Sequence, residues 1–489
     1  MKLLKIVTSL FFAIAVGAAS PPLEVSPLIV TGDPSNRVDF VFFSDGYLTS
    51  EKDKFLKDAL NFAQDITTNH TFHSVQPLMN FWAAYTPSNE SGVGRMGKPK
   101  DTVYQLYRDG TELRGVWTAK PQVGRDACAS LGEQCDYPVL LGNDPLYGGS
   151  GGIPTIITAS PLNGPQILRH ELGHSIIQIG EEYDGATTGG YSGINAAHSS
   201  RSPIPWAHWL TEPDVEPRVE RSVMPLQEYA WALMNTTNPW KATFVSSGTF
   251  SRHLVRFSLS GLPSKDDLRL EVDGVDLNWE PREEIGLDRW LYDIYVDEPL
   301  SPGRHEVSFT LLNGDLEGTA QMCSVEILEF GDADEFNATP GYIGLYPTYS
   351  ETNVTSYRPT NEGCLMRQVT TTTYCSVCLE GLWLKLLGRL SLIDNITETC
   401  DGSSTILNAT LVPVTQFRQG GPLPGETYTI LWSKNGRVLN NFTNKTVVAI
   451  DNASGSYTLD VKFSTPEIRL DRSGVTEAQM VHTISGSCN

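Results

Sequence analysis

The stretch Gln166-Ile-Leu-Arg-His-Glu-Leu-Gly-His-Ser-Ile-Ile-Gln-Ile179 constrains this chain more than any other. On one helix, His170 and His174 stand at the i,i+4 separation that lets two imidazoles reach one metal ion, and Glu171 lies beside them without being a ligand. That order of residues is the one with which a zinc peptidase holds its metal and positions a proton acceptor. Asn163 is placed to cap the helix, Pro165 suits its first turn, and Gly180 is placed to end it in a left-handed conformation. Ile167, Leu168, Leu172, Ile176, Ile177 and Ile179 carry more apolar surface than a solvent-facing helix needs, so burial is expected. A lone helical histidine is ordinarily a packed or surface residue. The second imidazole and the adjoining carboxylate argue for a ligand here.

Two imidazoles leave a catalytic zinc site one protein ligand short, with a further position kept for water. Glu181 and Glu182, just beyond Gly180, are the nearest candidates, followed by His208 and then His198 and Asp184. His208, flanked by Trp206 and Trp209, could equally be a core histidine. In such a site Glu171 takes a proton from the attacking water and passes it to the leaving amine, and a phenol from Tyr183 or Tyr191 could support the oxyanion. Either ring could also simply pack.

At 489 residues the chain suggests two to four domains. Its formal charge of -21 argues against nucleic acid or an anionic membrane as partner. Residues 1–18 read as a signal peptide: Lys2 and Lys5 precede an apolar run from Ile6 to Val16, and Val16-Gly-Ala18 offers small residues before a cut. No later stretch reaches the length of a membrane span, so a secreted, extracellular protein is expected.

Eight cysteines, an even number, suit an oxidising compartment. Cys128 and Cys135 are close enough to staple a loop, and Cys400 and Cys488 bracket the last unit. Cys375-Ser-Val-Cys378 could be half a zinc knuckle or a redox pair. With Cys364 nearby and secretion expected, disulfides are the expectation for these three and for Cys323. Ten sequons, at Asn69, Asn89, Asn235, Asn337, Asn353, Asn395, Asn408, Asn441, Asn444 and Asn452, point to N-linked glycans.

Val38-Asp-Phe-Val-Phe-Phe43 reads as a buried strand ending in a turn at Ser44-Asp-Gly-Tyr47, Ser50 to Ile66 as an amphipathic helix, and Met79 to Tyr85 as a second strand, an order that favours an α/β unit. Tyr147-Gly-Gly-Ser-Gly-Gly152 permits close backbone approach, and Ile153 to Thr158 delivers the chain to the histidine helix. From about Tyr229 to Ile327 short alternating runs signal a β-sandwich whose expected role is solubilising or substrate-positioning bulk. Leu379 to Leu390 is a plausible helix, and residues 398–489 alternate again in the manner of an Ig-like domain.

Arg169-His-Glu-Leu-Gly-His-Ser175 continuing to Glu181-Glu-Tyr183, with Phe43-Ser-Asp-Gly-Tyr47 before it and Gly363-Cys-Leu-Met-Arg367 and Cys375-Ser-Val-Cys378 after it, resembles the IgA peptidase M64 family in a secreted fungal form. The resemblance covers roughly residues 36–210 and 340–395. It implies an α/β, metzincin-like zinc metallopeptidase catalytic domain, built from a mixed sheet and the active-site helix, with additional β-sandwich domains. It also implies Zn2+ as cofactor, a protein or peptide substrate, and Met366 as the methionine turn beneath the metal. The standard metzincin spacing would put glycine and the third ligand at Ile177 and Gly180, where it fails. A turn displaced by one residue moves the ligand to Glu181, with Glu182 and His208 as alternatives. The expected organisation is a signal peptide over 1–18, a catalytic domain over 19–228 completed by 331–397, an inserted β-sandwich over 229–330 and an Ig-like domain over 398–489. The competing expectation is a non-catalytic secreted adhesion or cell-wall glycoprotein on a degenerate peptidase scaffold, which would leave the histidine pair without metal.

Overall fold

The computed structural model describes residues 22–68, 70–110, 115–184, 192–201, 203–350, 352, 354–451, 453–486 and 488. The expected signal peptide, Tyr191 and the sequons at Asn69, Asn353 and Asn452 lie outside the described residues. Mixed sheets carry most of the fold, with few helices and several β-sheet units, and no helix among the described residues is long and apolar enough to cross a membrane.

The first unit runs β1 (Glu24–Ile29), β2 (Val38–Asp45), α1 (Lys52–Thr68), β3 (Met79–Tyr85), β4 (Leu106–Arg108), β5 (Val116–Thr118), α2 (Pro121–Ser130), β6 (Tyr137–Gly142), β7 (Gly149–Ser150), β8 (Thr155–Thr158) and α3 (Gly164–Leu172). Six strands form one sheet in the order β1-β3-β2-β6-β8-β7. The four central strands are parallel, while β1 and β7 pair antiparallel at the edges. Every residue of β2 and β3 is buried, as a strand covered on both faces requires. Helix α1 turns Phe55, Ala59, Phe62, Ala63 and Ile66 inward, and α3 lies in the same core.

The Phe43-Ser-Asp-Gly-Tyr47 segment serves structure. Buried Asp45 accepts hydrogen bonds from Thr102 Oγ1 (3.0 Å) and from the backbone N–H of Tyr104 (2.7 Å) and Leu106 (2.9 Å), pinning the incoming β4. A buried carboxylate needs such donors.

The alternating region folds as two facing sheets. One contains Ser222–Glu228, Ala232–Leu233, Gln321–Phe330, Arg252–Ser260 and Trp290–Val296, and the other Trp240–Ser246, Gly303–Leu311, Leu268–Val272 and Val275–Asp276. Between them lies a separate apolar core that includes Phe257, Leu270 and Phe309. The chain then returns through a short antiparallel pair (Tyr346–Tyr349 with Thr355–Arg358) to α4 (Ser376–Leu387). A three-stranded and a four-stranded sheet complete it, and their core residues Leu407, Ile430 and Trp432 join the same cluster as α1, α3 and α4.

Two disulfides form, Cys128–Cys135 and Cys400–Cys488. The expectation for the other cysteines is corrected. Cys323 is a buried thiol 3.9 Å from Ser260 Oγ in the core of its sheet, and Cys364, Cys375 and Cys378 are buried thiols gathered at the start of α4. Cys364 Sγ and Cys378 Sγ stand 3.8 Å apart, a packing distance far from the ~2.0 Å of a bond.

Candidate active site

The histidine segment is helical but differs from the single helix ending at Gly180. α3 is α-helical from Gly164 to Leu172, widens into a π turn over Gly173–Ile177, and ends at Gln178, which itself takes the left-handed conformation with φ 62°. Gln178 N–H closes the wide turn on Gly173 O at 3.1 Å. Asn163 precedes the helix without capping it through its side chain, because Asp288 of the sandwich accepts its Nδ2–H at 2.7 Å.

Gly173 is fixed by close approach. A Cβ there would lie 2.7 Å from Tyr374 Oη and 2.9 Å from Met366 Sδ. Tyr374 donates its phenol hydrogen to Arg169 O, and Met366 is fully buried against the helix. On the opposite side β7 runs into Gly151, whose Cβ would meet His174 Cβ at 2.8 Å. The glycine-rich stretch thus lets the sheet edge press directly on the histidine turn.

Each ring is oriented through its Nδ1. His170 Nδ1 is 3.1 Å from Leu365 O, and His174 Nδ1 is 2.8 Å from Ile179 O. A carbonyl can only accept, so both Nδ1 atoms carry hydrogen and both Nε2 atoms turn inward. These Nε2 atoms are 3.3 Å apart, and each is 3.0 Å from one oxygen of the Glu181 carboxylate.

Burial works against a charge on His170, but the facing Glu181 carboxylate outweighs it and raises the imidazole to about 9. The same balance raises His174. Burial alone would raise Glu181, yet the two imidazoles hold its carboxyl well below the usual carboxylate range. Two Nε2 atoms meeting two carboxylate oxygens are stable only with protons or a cation among them. His170, His174 and Glu181 form a group whose ligand atoms could hold a metal ion.

Glu171 stands beside this group, its carboxylate accepting a hydrogen bond from Gly151 N–H; burial raises its pKa, His170 and His174 oppose the rise, and Glu181 adds to it. Tyr183, whose phenol is hydrogen-bonded to Glu181, is kept protonated by burial and by that carboxylate.

The other candidates for third ligand lie elsewhere. Glu182 is fully buried among the three thiols, and Asp184 is paired with Arg367 at 2.5 Å. His208 Nε2 is 2.6 Å from Glu380, and His198 faces Ser356. His208 and Glu380 line a hollow of ≈ 850 Å³ beside the π turn that contains none of the metal-competent group.

His170, Glu171 and Glu181 open instead on a cleft of ≈ 310 Å³. Its far wall is the β-sandwich, through Tyr229, Trp231, Arg256, Arg289 and Trp290. Arg289 is gripped between rings of the two units, 4.9 Å from Tyr147 and 4.6 Å from Trp231. The expectation of a solubilising or substrate-positioning sandwich named none of these cleft residues. Arg256 and Trp290 lie on strands, and Tyr229, Trp231 and Arg289 lie in the connections between strands, with no motif among them.

No curated protein matches the sequence. Among solved structures, the chain is similar to a β-porphyranase of glycoside hydrolase family 86 from the human gut bacterium Bacteroides plebeius (18% identity over 22% of this chain and 20% of that one, TM-score 0.18). It is similar also to the exo-β-D-glucosaminidase CsxA (10% identity, 50% of this chain and 25% of that one, TM-score 0.15) and to a GH2 β-galacturonidase from Eisenbergiella tayi (7%, 63% and 41%, TM-score 0.15). The chain thus spans well under two thirds of each of these proteins, and overlaps at such TM-scores carry no argument. Residues 26–224, which hold the histidine turn and its glutamates, match the model of the IgA Peptidase M64 family.

Proposed function

We propose that the protein is a secreted zinc-dependent endopeptidase in which His170, His174 and Glu181 hold the metal and Glu171 is the general acid and base. The observation that carries this reading is the convergence of two inward-turned Nε2 atoms and one carboxylate, at separations of 3.0 to 3.3 Å, beside Glu171 at the floor of a cleft. A tetrahedral zinc with Zn–N near 2.0–2.1 Å needs neighbouring donors about 3.3–3.4 Å apart, so the donor set fits that ion in size and chemistry. Three protein ligands leave a position for substrate and water. Zinc held there supplies Lewis acidity, making water nucleophilic near neutral pH and polarising the scissile carbonyl.

Leu365 O and Ile179 O keep the two rings in one tautomer. Glu171 accepts the proton of the attacking water and delivers it to the leaving amine, and its raised pKa suits a group that must take and return a proton. Tyr183, protonated and on the cleft wall, can donate a hydrogen bond toward the developing oxyanion. The substrate is a protein or peptide, received between the mixed sheet and the aromatic wall of the sandwich.

We assign the catalytic domain to 19–228 and 331–397, metzincin-like in that Met366 lies under the histidine turn, with the sandwich and the C-terminal β unit as additions. Export is supported by the leader-like residues 1–18 and is compatible with the two disulfides. N-glycosylation is supported by sequons with exposed side chains, among them Asn89, Asn395, Asn408 and Asn441.

The test is Glu171→Gln in the full chain, assayed on casein and on a fluorogenic peptide alongside metal analysis. Zinc content is expected to stay unchanged while kcat falls on the order of 10²–10⁴-fold. Undiminished hydrolysis would exclude Glu171 as the proton carrier.

A further inference from the structure

Glu182, Cys364, Cys375 and Cys378 are all buried, and their ligand atoms lie within 4.8 Å of one another. Three thiols cannot all be paired in disulfides, and any one bond would leave a thiol facing a buried carboxylate. Glu182 Oε1 accepts from Asn195 Nδ2 at 2.9 Å, but its Oε2 is buried with no hydrogen-bond partner. A buried carboxylate oxygen left in that condition is costly unless a cation meets it.

The spacing names the cation. Four donors around zinc with Zn–S near 2.3 Å put neighbouring sulfurs about 3.8 Å apart, and a sulfur and a carboxylate oxygen about 3.5 Å apart. Cys364 Sγ and Cys378 Sγ are 3.8 Å apart, and Cys378 Sγ is 3.6 Å from Glu182 Oε1. The start of a helix favours a thiolate at its first residue. Cys375 is the N-cap residue of the twelve-residue α4, and Cys364 Sγ accepts from Cys375 N–H at 3.4 Å.

We propose that these four residues form a second, structural zinc site, distinct from the histidine site and closed to solvent. Soft thiolates with one carboxylate in tetrahedral array select zinc, and four protein donors leave no open position for chemistry. The site ties three segments together: the loop that presents Glu181, the turn carrying Leu365 and Met366, and the start of α4. Glu182 N–H donates to Met366 O at 2.9 Å within the same clasp.

The experiment measures metal per chain and its coordination in the full-length protein, wild type and His170→Ala/His174→Ala. Wild type is expected to hold two zinc ions, and the double variant to retain one whose X-ray absorption spectrum is dominated by sulfur at about 2.3 Å. Peptide mapping of the unreduced protein is expected to recover Cys364, Cys375 and Cys378 as thiols. A disulfide among those three, or a folded double variant without zinc, would overturn the proposal. The two readings fail separately: one zinc bound by nitrogen and oxygen in wild type removes this site and keeps the peptidase, whereas one zinc bound by sulfur does the reverse.

Discussion

Glu181 and Glu182 are neighbours in sequence that face opposite environments. The carboxylate of Glu181 turns to two imidazoles at the floor of a cleft, whereas that of Glu182 turns into a closed chamber of three thiols under α4. A cation with three protein donors and an open side can do chemistry, and one enclosed by four can only hold structure. The contrast explains how Glu181, on an irregular loop, is kept facing the two imidazoles. Glu181 has no helix or strand of its own, and the rigidity of its position comes from the residue beside it, clamped by Asn195, by Met366 O and by the thiol cluster.

The sharpest way to break this contrast is to neutralise each carboxylate in turn. Glu181→Gln removes a ligand from the open site, and hydrolysis is expected to fall by more than about 100-fold, beyond the 10–100-fold typical of groups that only support a ligand. Its thermal stability should fall by the loss of zinc binding at the open site, with the metal of the closed site retained. Glu182→Gln is expected to cost about 1–3 kcal/mol of stability, because it disturbs a fully buried polar cluster, and to lower activity only indirectly, about tenfold. Calorimetry and peptide hydrolysis on the same preparations separate the two. Equal losses of activity with equal losses of stability would show that the neighbours are not specialised.

A smaller effect tests the packing shared by both regions. Glycine to alanine inside an exposed helix ordinarily gains about 1 kcal/mol. At Gly173 the added methyl would strike Tyr374 Oη and Met366 Sδ, which belong to the segment joining the two sites. Overpacking of this kind costs about 1–3 kcal/mol, so Gly173→Ala should reverse the usual sign in denaturant unfolding. A stabilised variant would mean that the helix and the Met366 turn are not in tight contact.

The open site was far more legible in the sequence than the closed one, for reasons of distance along the chain. His170 and His174 stand at the i,i+4 separation with Glu171 beside them, and Glu181 lies seven positions beyond His174, although spacing left Glu182 and His208 as alternatives to it. Strands such as Leu268–Val272 and Trp290–Val296 announced themselves by alternation. Cys378 and Glu182 meet across 196 positions, and no periodicity records such a meeting. Proximity in sequence argued instead for disulfides, since a pair spaced C-x-x-C in an exported chain is ordinarily oxidised. Asn163 failed as a cap for a similar reason: its partner Asp288 lies 125 positions away, in a unit whose docking onto the cleft is written in no local pattern.

A last effect concerns protons, which mark the open site when metal is withdrawn. In the folded metal-free protein His170 is raised from 6.5 to about 9; burial opposes its charge but Glu181 more than compensates. The sign follows from linkage: a folded-state pKa above the unfolded one adds stability that is complete below about pH 6.5 and is lost as pH rises through about 9. Mild chelation that leaves one zinc per chain should therefore give a protein whose Tm declines across that window, while the fully loaded protein, with a cation in place of the proton, lacks this decline. Glu181→Gln, treated in the same way, should lose the slope because the charge that held the proton is gone. If the slope survives in the variant, the proton is held by something other than the Glu181 pairing, and the difference drawn between the two neighbouring carboxylates loses its electrostatic half.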